Sequence, residues 1–350
     1  MSSDIKVLVV DDSAFARLAI SRELRAGSSI SVLDSARDGV EAIGKIKQLK
    51  PDVVTLDVEM PNMDGLATLD KIMSECPTPV VMLSSLTGAG TEATIRALEL
   101  GAVDFFLKRA VANPIGDGGD ADGLRNKIIL ASKAKLSPRR TMPAMLASVP
   151  KPRKAVPGTQ PATRVIVIGS STGGPKALYQ VVPNLPADID AGILIVQHMP
   201  PGFTGSLANR LDQLSHVAVK EAAPGEVLYN GLAFVAKGGY HLTIDKGGVL
   251  GLNQNPPVCS VRPSIDVTME SVVQAFGKSV LGVVLTGMGV DGTRGSQQIK
   301  MQGGKVIAED ESTCVVWGMP KSVAESGYAD RVAPLPEVAE SIVDLLRKVG

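Results

Sequence analysis

The sequence predicts an α/β protein of two doubly wound, mostly parallel-sheet domains joined by a basic, proline-rich linker. Three observations lead there. Short β-branched apolar runs alternate with helically spaced apolar residues through the first 130 positions. The same alternation resumes at Arg164. Between them, residues 133–163 carry 7 basic and no acidic side chains, with six prolines from Pro138 to Pro161. Alternation of this kind builds β-α-β units around a parallel sheet, whose functional loops gather at the strand C-termini. A proline-rich stretch without apolar periodicity reads instead as an extended tether. The expected domains are 1–130 and 164–350, with the linker over 131–163, and a length of 350 residues suits two.

Composition narrows the function. The chain is 44% hydrophobic and 21% charged, an ordinary globular balance, and its 36 basic and 36 acidic residues cancel. Residues 164–350 carry 15 basic against 17 acidic side chains and no short helix-turn-helix with a basic second helix. No nucleic-acid partner is expected from that. Cys76, Cys259 and Cys314 lack metal-ligand spacing and cannot all pair, which suits a reducing compartment. Met1-Ser2-Ser3-Asp4 does not open a signal peptide, and no apolar run approaches the ~18 residues of a membrane span. A cytoplasmic protein without membrane insertion is expected.

In the first domain, strands are predicted over 7–10, 31–35, 53–56, 80–83 and 103–107. Phe15/Leu18/Leu24, Val40/Ile43/Ile46, Leu66/Leu69/Ile72 and Ile95/Leu98 mark the helices between them, and a fifth helix spans about 124–135. Acids cluster at the strand ends: Asp11 and Asp12 after the first, Asp57 closing the third. Crowded carboxylates repel, so their convergence implies a cation. An all-oxygen set with few protein ligands suits Mg²⁺, which keeps several waters and binds phosphoryl oxygens. Ser84 and Lys108 end the fourth and fifth strands.

These residues, with the run Leu56-Asp57-Val58-Glu59-Met60-Pro61-Asn62-Met63-Asp64-Gly65, resemble a response-regulator receiver domain, a flavodoxin-like fold. The resemblance implies that Asp57 accepts a phosphoryl group from a partner histidine kinase. It implies Mg²⁺ on Asp12, Asp57 and the Glu59 backbone, with Asp11 acting through water. Ser84 and Lys108 would contact the phosphoryl group, and Phe105 would be the aromatic switch. Arg109 stands where the family usually has proline.

In the second domain, strands are predicted over 165–168, 193–196, 280–285 and 305–308, and helices over 175–182, 205–214, 265–276, 294–302 and 336–348. A glycine-rich hairpin region is expected over 233–236, 241–245 and 249–252. The run Val165-Ile166-Val167-Ile168 leads into Gly169-Ser170-Ser171-Thr172-Gly173-Gly174-Pro175, a buried strand, a small-residue turn and a helix start. A hydroxyl on such a turn is lifted clear of the sheet, ahead of a helix N-terminus that favours negative charge. That serves a nucleophilic serine or a phosphate loop, although neither GxGxxG nor GxxxxGK[ST] is present. His198 and Asp291 follow two further strands, so a parallel sheet sets all three residues on one edge. A serine needs an imidazole to take its proton and a carboxylate to hold the imidazole's tautomer. Of the other histidines, His216 reads as surface and His241 as structural. Gly287, Gly289 and Gly292 would let backbone N–H groups approach a substrate, as an oxyanion hole needs.

Gly169–Gly174, Gln197-His198-Met199-Pro200, Val261-Arg262-Pro263-Ser264-Ile265-Asp266 and Thr286-Gly287-Met288-Gly289-Val290-Asp291-Gly292 together resemble the chemotaxis protein-glutamate methylesterases, as does the domain order. This implies a Rossmann-like catalytic domain that hydrolyses glutamate methyl esters, and deamidates glutamines, on methyl-accepting chemotaxis receptors. Ser171 would be the nucleophile, His198 the base and Asp291 its orienting acid, with the Met288 backbone and Thr172 at the oxyanion. The esterase reaction would need no cofactor, and phosphorylation of Asp57 would activate it. The competing readings are a DNA-binding response regulator and a non-catalytic module that holds receptor helices.

Overall fold

The computed structural model describes residues 4–26, 29–84, 88–108, 121–134 and 161–349. Two compact units divide the chain, one within residues 1–146 and the other within 147–350. Most of the predicted linker, and Arg109, lie outside the described residues.

The first unit holds β1 (Ile5–Val10), β2 (Ile30–Ala36), β3 (Val53–Asp57), β4 (Val80–Ser84) and β5 (Asp104–Leu107). They form one parallel sheet in the order β2-β1-β3-β4-β5. Helices α1 (Ala14–Arg25), α2 (Gly39–Leu49), α3 (Gly65–Glu75) and α4 (Gly88–Leu100) supply the crossovers, and α5 (Ala121–Ala131) follows β5. β3 and β4 are buried along their whole length, as strands covered on both faces must be. Ser13, Asp38 and Asp64 cap α1, α2 and α3, each side chain accepting a backbone N–H three residues on. Gly65 is required by close approach: a Cβ there would stand 2.1 Å from the Asp57 carbonyl oxygen.

The second unit is built on a seven-stranded sheet, all parallel, ordered β14-β13-β12-β6-β7-β9-β8. In chain order these are β6 (Val165–Ser170), β7 (Gly192–Gln197), β8 (Ala218–Glu221), β9 (Leu232–Val235), β12 (Val280–Val284), β13 (Lys305–Glu309) and β14 (Arg331–Ala333). β10 (His241–Ile244) and β11 (Leu250–Asn253) form a separate antiparallel pair. The helices are α6 (Gly174–Val181), α7 (Phe203–Leu214), α8 (Ile265–Phe276), α9 (Thr293–Met301), α10 (Met319–Glu325) and α11 (Leu335–Leu346). Val165, Ile166, Val167 and Ile168 have no exposed surface, and α8 lies so close to β6 that a Cβ on Gly169 would meet Ile265 at 2.6 Å. Phe203 and Phe234 are wholly buried, each worth roughly 1.5–3 kcal/mol in apolar area removed from water.

One expectation is corrected. Residues 233–236 do not belong to a hairpin: Leu232–Val235 is a fully buried strand of the main sheet, between β7 and β8. An all-apolar run needs cover on both faces, which a two-stranded hairpin does not give. Asp245 turns the true hairpin, its Oδ1 accepting from Gly247 and Val249 N–H.

The sheet order places the topological switch at β6. From there the chain winds outward one way through β7, then returns to start the other half at β12. Loops leaving β6 and β12 therefore part in opposite directions and open a crevice at their C-terminal ends.

Candidate functional site

In the first unit, Asp11 and Asp57 are buried and Asp12 exposed, and one carboxylate oxygen from each lies within 4.8 Å of the others. Lys108 Nζ stands 2.9 Å from Asp11 Oδ2 and 2.6 Å from Asp57 Oδ2. Burial pushes the Asp57 carboxyl up to about 6; Lys108 pulls the other way, and Asp11 adds to the rise. Burial would lower the Lys108 ammonium, but its bonds to the two carboxylates prevail and raise it. The Glu59 side chain is exposed and outside the cluster, while its backbone N–H donates to Asp57. Three carboxylates make a hard, all-oxygen donor set, and it fits a small divalent cation. Ser84 is buried at the end of β4; its hydroxyl donates to the Gly90 carbonyl at 3.4 Å and accepts from Thr94 of α4 at 2.7 Å. Phe105 is buried in β5 with the Lys127 ammonium 5.8 Å from its ring centroid.

In the second unit, the crevice at the switch point gathers the three residues that the strand ends suggested. Ser171 follows β6 and is half-buried; its N–H donates to Thr286 O at 3.0 Å, and its carbonyl accepts from Gly174 N–H at 2.8 Å. His198 follows β7, its N–H donating to Ser170 O at 3.0 Å. Its Nε2 lies 2.8 Å from Asp291 Oδ2, across 93 residues of sequence. An ionised Asp291 fixes the proton on Nε2, which leaves Nδ1 free to accept. The Ser171 hydroxyl makes no hydrogen bond to the ring among the described residues. Such contacts commonly tighten only when substrate enters.

Asp291 is 2% exposed, and burial alone would raise its carboxyl. The bond and charge of His198, with the amides of Asp266 and Ile265, outweigh that and hold it below the usual range. Ser264 Oγ also donates to it at 2.9 Å. Thr172 is buried, and Thr286 Oγ1 donates to its carbonyl at 3.0 Å. Met288 is 48% exposed on the 286–292 loop. That loop presses on the serine turn: a Cβ on Gly287 would meet the Ser171 Cβ at 2.7 Å.

Sequence reasoning passed over Gln197. Its side chain accepts from Ser170 Oγ at 2.7 Å and donates to the carbonyls of Ser171 and His198 at 2.9 and 3.1 Å. One amide thus stitches the serine turn to the histidine loop; the signal was a polar residue closing a buried strand. Glu309, also unforeseen, is fully buried and accepts Thr286 N–H at 2.8 Å, and burial raises its carboxyl. His216 is half-buried, just after the end of α7. His241 is buried, with Nδ1 accepting Ser264 N–H and Nε2 donating to Pro256 O, both at 3.2 Å.

The chain matches the family described as CheB methylesterase over residues 166–342 and the response regulator receiver domain over 7–115. The protein-glutamate methylesterase/protein-glutamine glutaminase of Symbiobacterium thermophilum is 50% identical over 357 aligned positions, covering 99% of this chain and 97% of that one.

The chain belongs to the CheB methylesterase family.

Its counterpart in Pyrococcus horikoshii, with the same name, is 46% identical over 98% of this chain and 94% of its own. The crystal structure of the Thermotoga maritima CheB methylesterase catalytic domain superposes with a TM-score of 0.51 at 48% identity, covering 52% of this chain and 98% of that one. Ser171, His198 and Asp291 all fall inside the CheB methylesterase match, and Asp11, Asp12, Asp57, Ser84, Phe105 and Lys108 inside the receiver match. A methylesterase thus occupies the place where a DNA-binding output domain would sit. No helix among the described residues is long and apolar enough to cross a membrane.

Proposed function

We propose that this CheB-family chain hydrolyses glutamate 5-methyl esters, and deamidates glutamines, on methyl-accepting chemotaxis receptors, under control of its receiver domain. The observation that carries this reading is the His198–Asp291 pair, 2.8 Å apart on the sheet edge that also bears Ser171. His198 Nδ1 takes the Ser171 proton as Oγ attacks the ester carbonyl. Asp291 holds the ring by Nε2–H and stabilises its cationic form. The oxyanion is held by backbone N–H groups of the 286–292 loop, Met288 among them, with Thr172 assisting. The C–O bond to the methoxy group breaks, His198 gives it the proton, and methanol leaves. Water then attacks the acyl-enzyme, yields its proton to His198, and Ser171 departs with it. A glutamine side chain follows the same path and releases ammonia.

In the receiver, Asp57 takes the phosphoryl group from a chemotaxis histidine kinase. Asp12, Asp57 and the Glu59 backbone would hold Mg²⁺, with Asp11 acting through water; the bound ion supplies neutralising charge to the phosphoryl oxygens. Ser84 and Lys108 contact that group, and Phe105 reports the change. The protein works in the cytoplasm, where the receptors expose their modified helices.

The test is methanol release from methylated receptor membranes, with acetyl phosphate and Mg²⁺ added or omitted. Wild type is expected to release methanol faster with the phosphodonor, and Asp57→Ala to lose only that increase. Ser171→Ala is expected to release none. Full activity in Ser171→Ala would overturn the assignment.

A further inference from the structure

The segment Arg262-Pro263-Ser264-Ile265-Asp266 bonds Asp291 through Ser264 Oγ and two amides, and it ends in a buried acid whose own side chain has no part in the chemistry above. Asp266 is 3% exposed, in the first turn of α8. Its Oδ1 accepts two backbone N–H groups from the start of α9, Gly292 at 2.9 Å and Gly295 at 2.8 Å. α9 has no cap of its own, because its N-cap is Gly292. The orphan amides of its first turn are satisfied from another helix.

Asp291, the residue immediately before that cap, does the converse. Its Oδ2 accepts Ile265 N–H at 2.7 Å, and its Oδ1 accepts Asp266 N–H at 2.9 Å, both at the start of α8. The two helices therefore exchange caps. The acid of α8 closes α9, and the acid leading into α9 closes α8. Gly292 N–H is shared between them, lying 2.9 Å from Asp266 Oδ1 and 3.1 Å from Asp291 Oδ1.

This lock decides where Asp291 points. A carboxylate is carried by its backbone, and the peptide that follows Asp291 is pinned by Asp266. The Asp291 oxygens are also saturated by α8, so rotation about the side chain is blocked. What remains is one orientation, with Oδ2 facing His198 Nε2.

We propose that Asp266 is a positioning residue of the esterase, holding Asp291 in line with His198 through the exchanged helix caps. The proposal rests on the esterase reading given above. Asp266 does not meet substrate; it acts through Asp291. A displacement of about 1 Å at a catalytic group costs on the order of 100-fold in rate. Asp266→Ala is therefore expected to lower kcat by about 10- to 100-fold and to leave KM within about twofold. Asp266→Asn keeps a carbonyl oxygen for Gly292 and Gly295, so kcat is expected within about fivefold of wild type. Asp266→Glu keeps the charge but displaces the oxygens by one methylene, and it is expected to lose more activity than Asp266→Asn.

The experiment measures methanol release from methylated receptor membranes by the full-length protein and these variants, with a thermal melt of each. The proton of the His198–Asp291 hydrogen bond is followed by NMR. That downfield signal is expected in wild type and Asp266→Asn and lost from Asp266→Ala. Asp245→Ala, which removes a cap from the hairpin turn, is the stability control and is expected to lower Tm at unchanged kcat. A wild type without activity, or an active Ser171→Ala, would sink the esterase reading itself. With that reading intact, wild-type kcat in Asp266→Ala would overturn the positioning role. So would a loss that merely follows the folded fraction, with the NMR signal retained. If Asp266→Ala does not fold, the order of Asp266→Asn and Asp266→Glu decides, and Glu outperforming Asn would overturn the proposal.

Discussion

At the scale of single residues, several polar groups of the two sites are buried, and each of these has its own compensation. Asp57 is compensated only in part. Its carboxyl sits at about 6, above the unfolded value near 4, because burial outweighs the help of Lys108. Between those values the folded receiver binds more protons than the unfolded chain, so its stability falls as pH rises through 6. Asp57→Asn removes that penalty. It is expected to raise the receiver Tm by several degrees at pH 7.5 and little at pH 4. Mg²⁺ is expected to stabilise wild type at pH 7.5 and to lose most of that effect in Asp57→Asn. Thermal melts across pH, with and without Mg²⁺, check both statements. Gln197 is the opposite case, with three hydrogen bonds for one buried amide. Gln197→Ala removes a partner from Ser170 Oγ and from the His198 carbonyl, at about 1–3 kcal/mol for each group left unsatisfied, while the Ser171 carbonyl keeps the Gly174 N–H. A fall of about 10-fold or more in kcat is expected as the serine and histidine loops part, read by methanol release at matched folded protein.

At the scale of elements, the sequence was legible where one strand or helix declares itself locally. Val165–Ile168 announces a buried strand by its β-branched run, and Asp64-Gly65 announces the start of α3. β8 escaped because Lys220 and Glu221 break its apolar pattern, and β14 because three residues carry no period. The strand at 232–235 was misassigned since glycines flank it on both sides, which resembles hairpin punctuation. Ser171, His198 and Asp291 were readable because each follows a strand and sheet topology alone collects them. Gln197, Ser264, Asp266 and Glu309 were not, since the partners that give them a role lie 23 to 29 residues away. Gly65 shows how one element fixes another. A Cβ there would collide with the carbonyl of Asp57, so Gly65→Ala must push α3 off the end of β3. This is expected to lower receiver stability by about 1–3 kcal/mol and to slow phosphorylation of Asp57, while the melting of the second unit stays unchanged. Calorimetry with two resolved transitions checks it.

At the scale of the whole molecule, both units use one rule: parallel strands end on a common edge, and polar residues that follow them converge there. The receiver places acids on its edge and the second unit a serine, a histidine and an acid. Chemistry differs because different residues follow equivalent strands.

The position of β6 also governs how the second unit is made. β6 is its first strand to leave the ribosome, yet it lies mid-sheet between β7 and β12, and Val165 pairs with Val280, 115 positions later. Until β12 emerges, an apolar strand waits with one side unpaired, a template for wrong partners. The Ser171 amide likewise waits for Thr286. A chain stopped at residue 278 is expected to carry a receiver that melts normally, fused to a protease-sensitive, aggregation-prone remainder. Limited proteolysis of that truncation against full-length protein reads this directly. Nascent chains of this protein should therefore depend on holdase chaperones for the whole interval between synthesis of β6 and synthesis of β12.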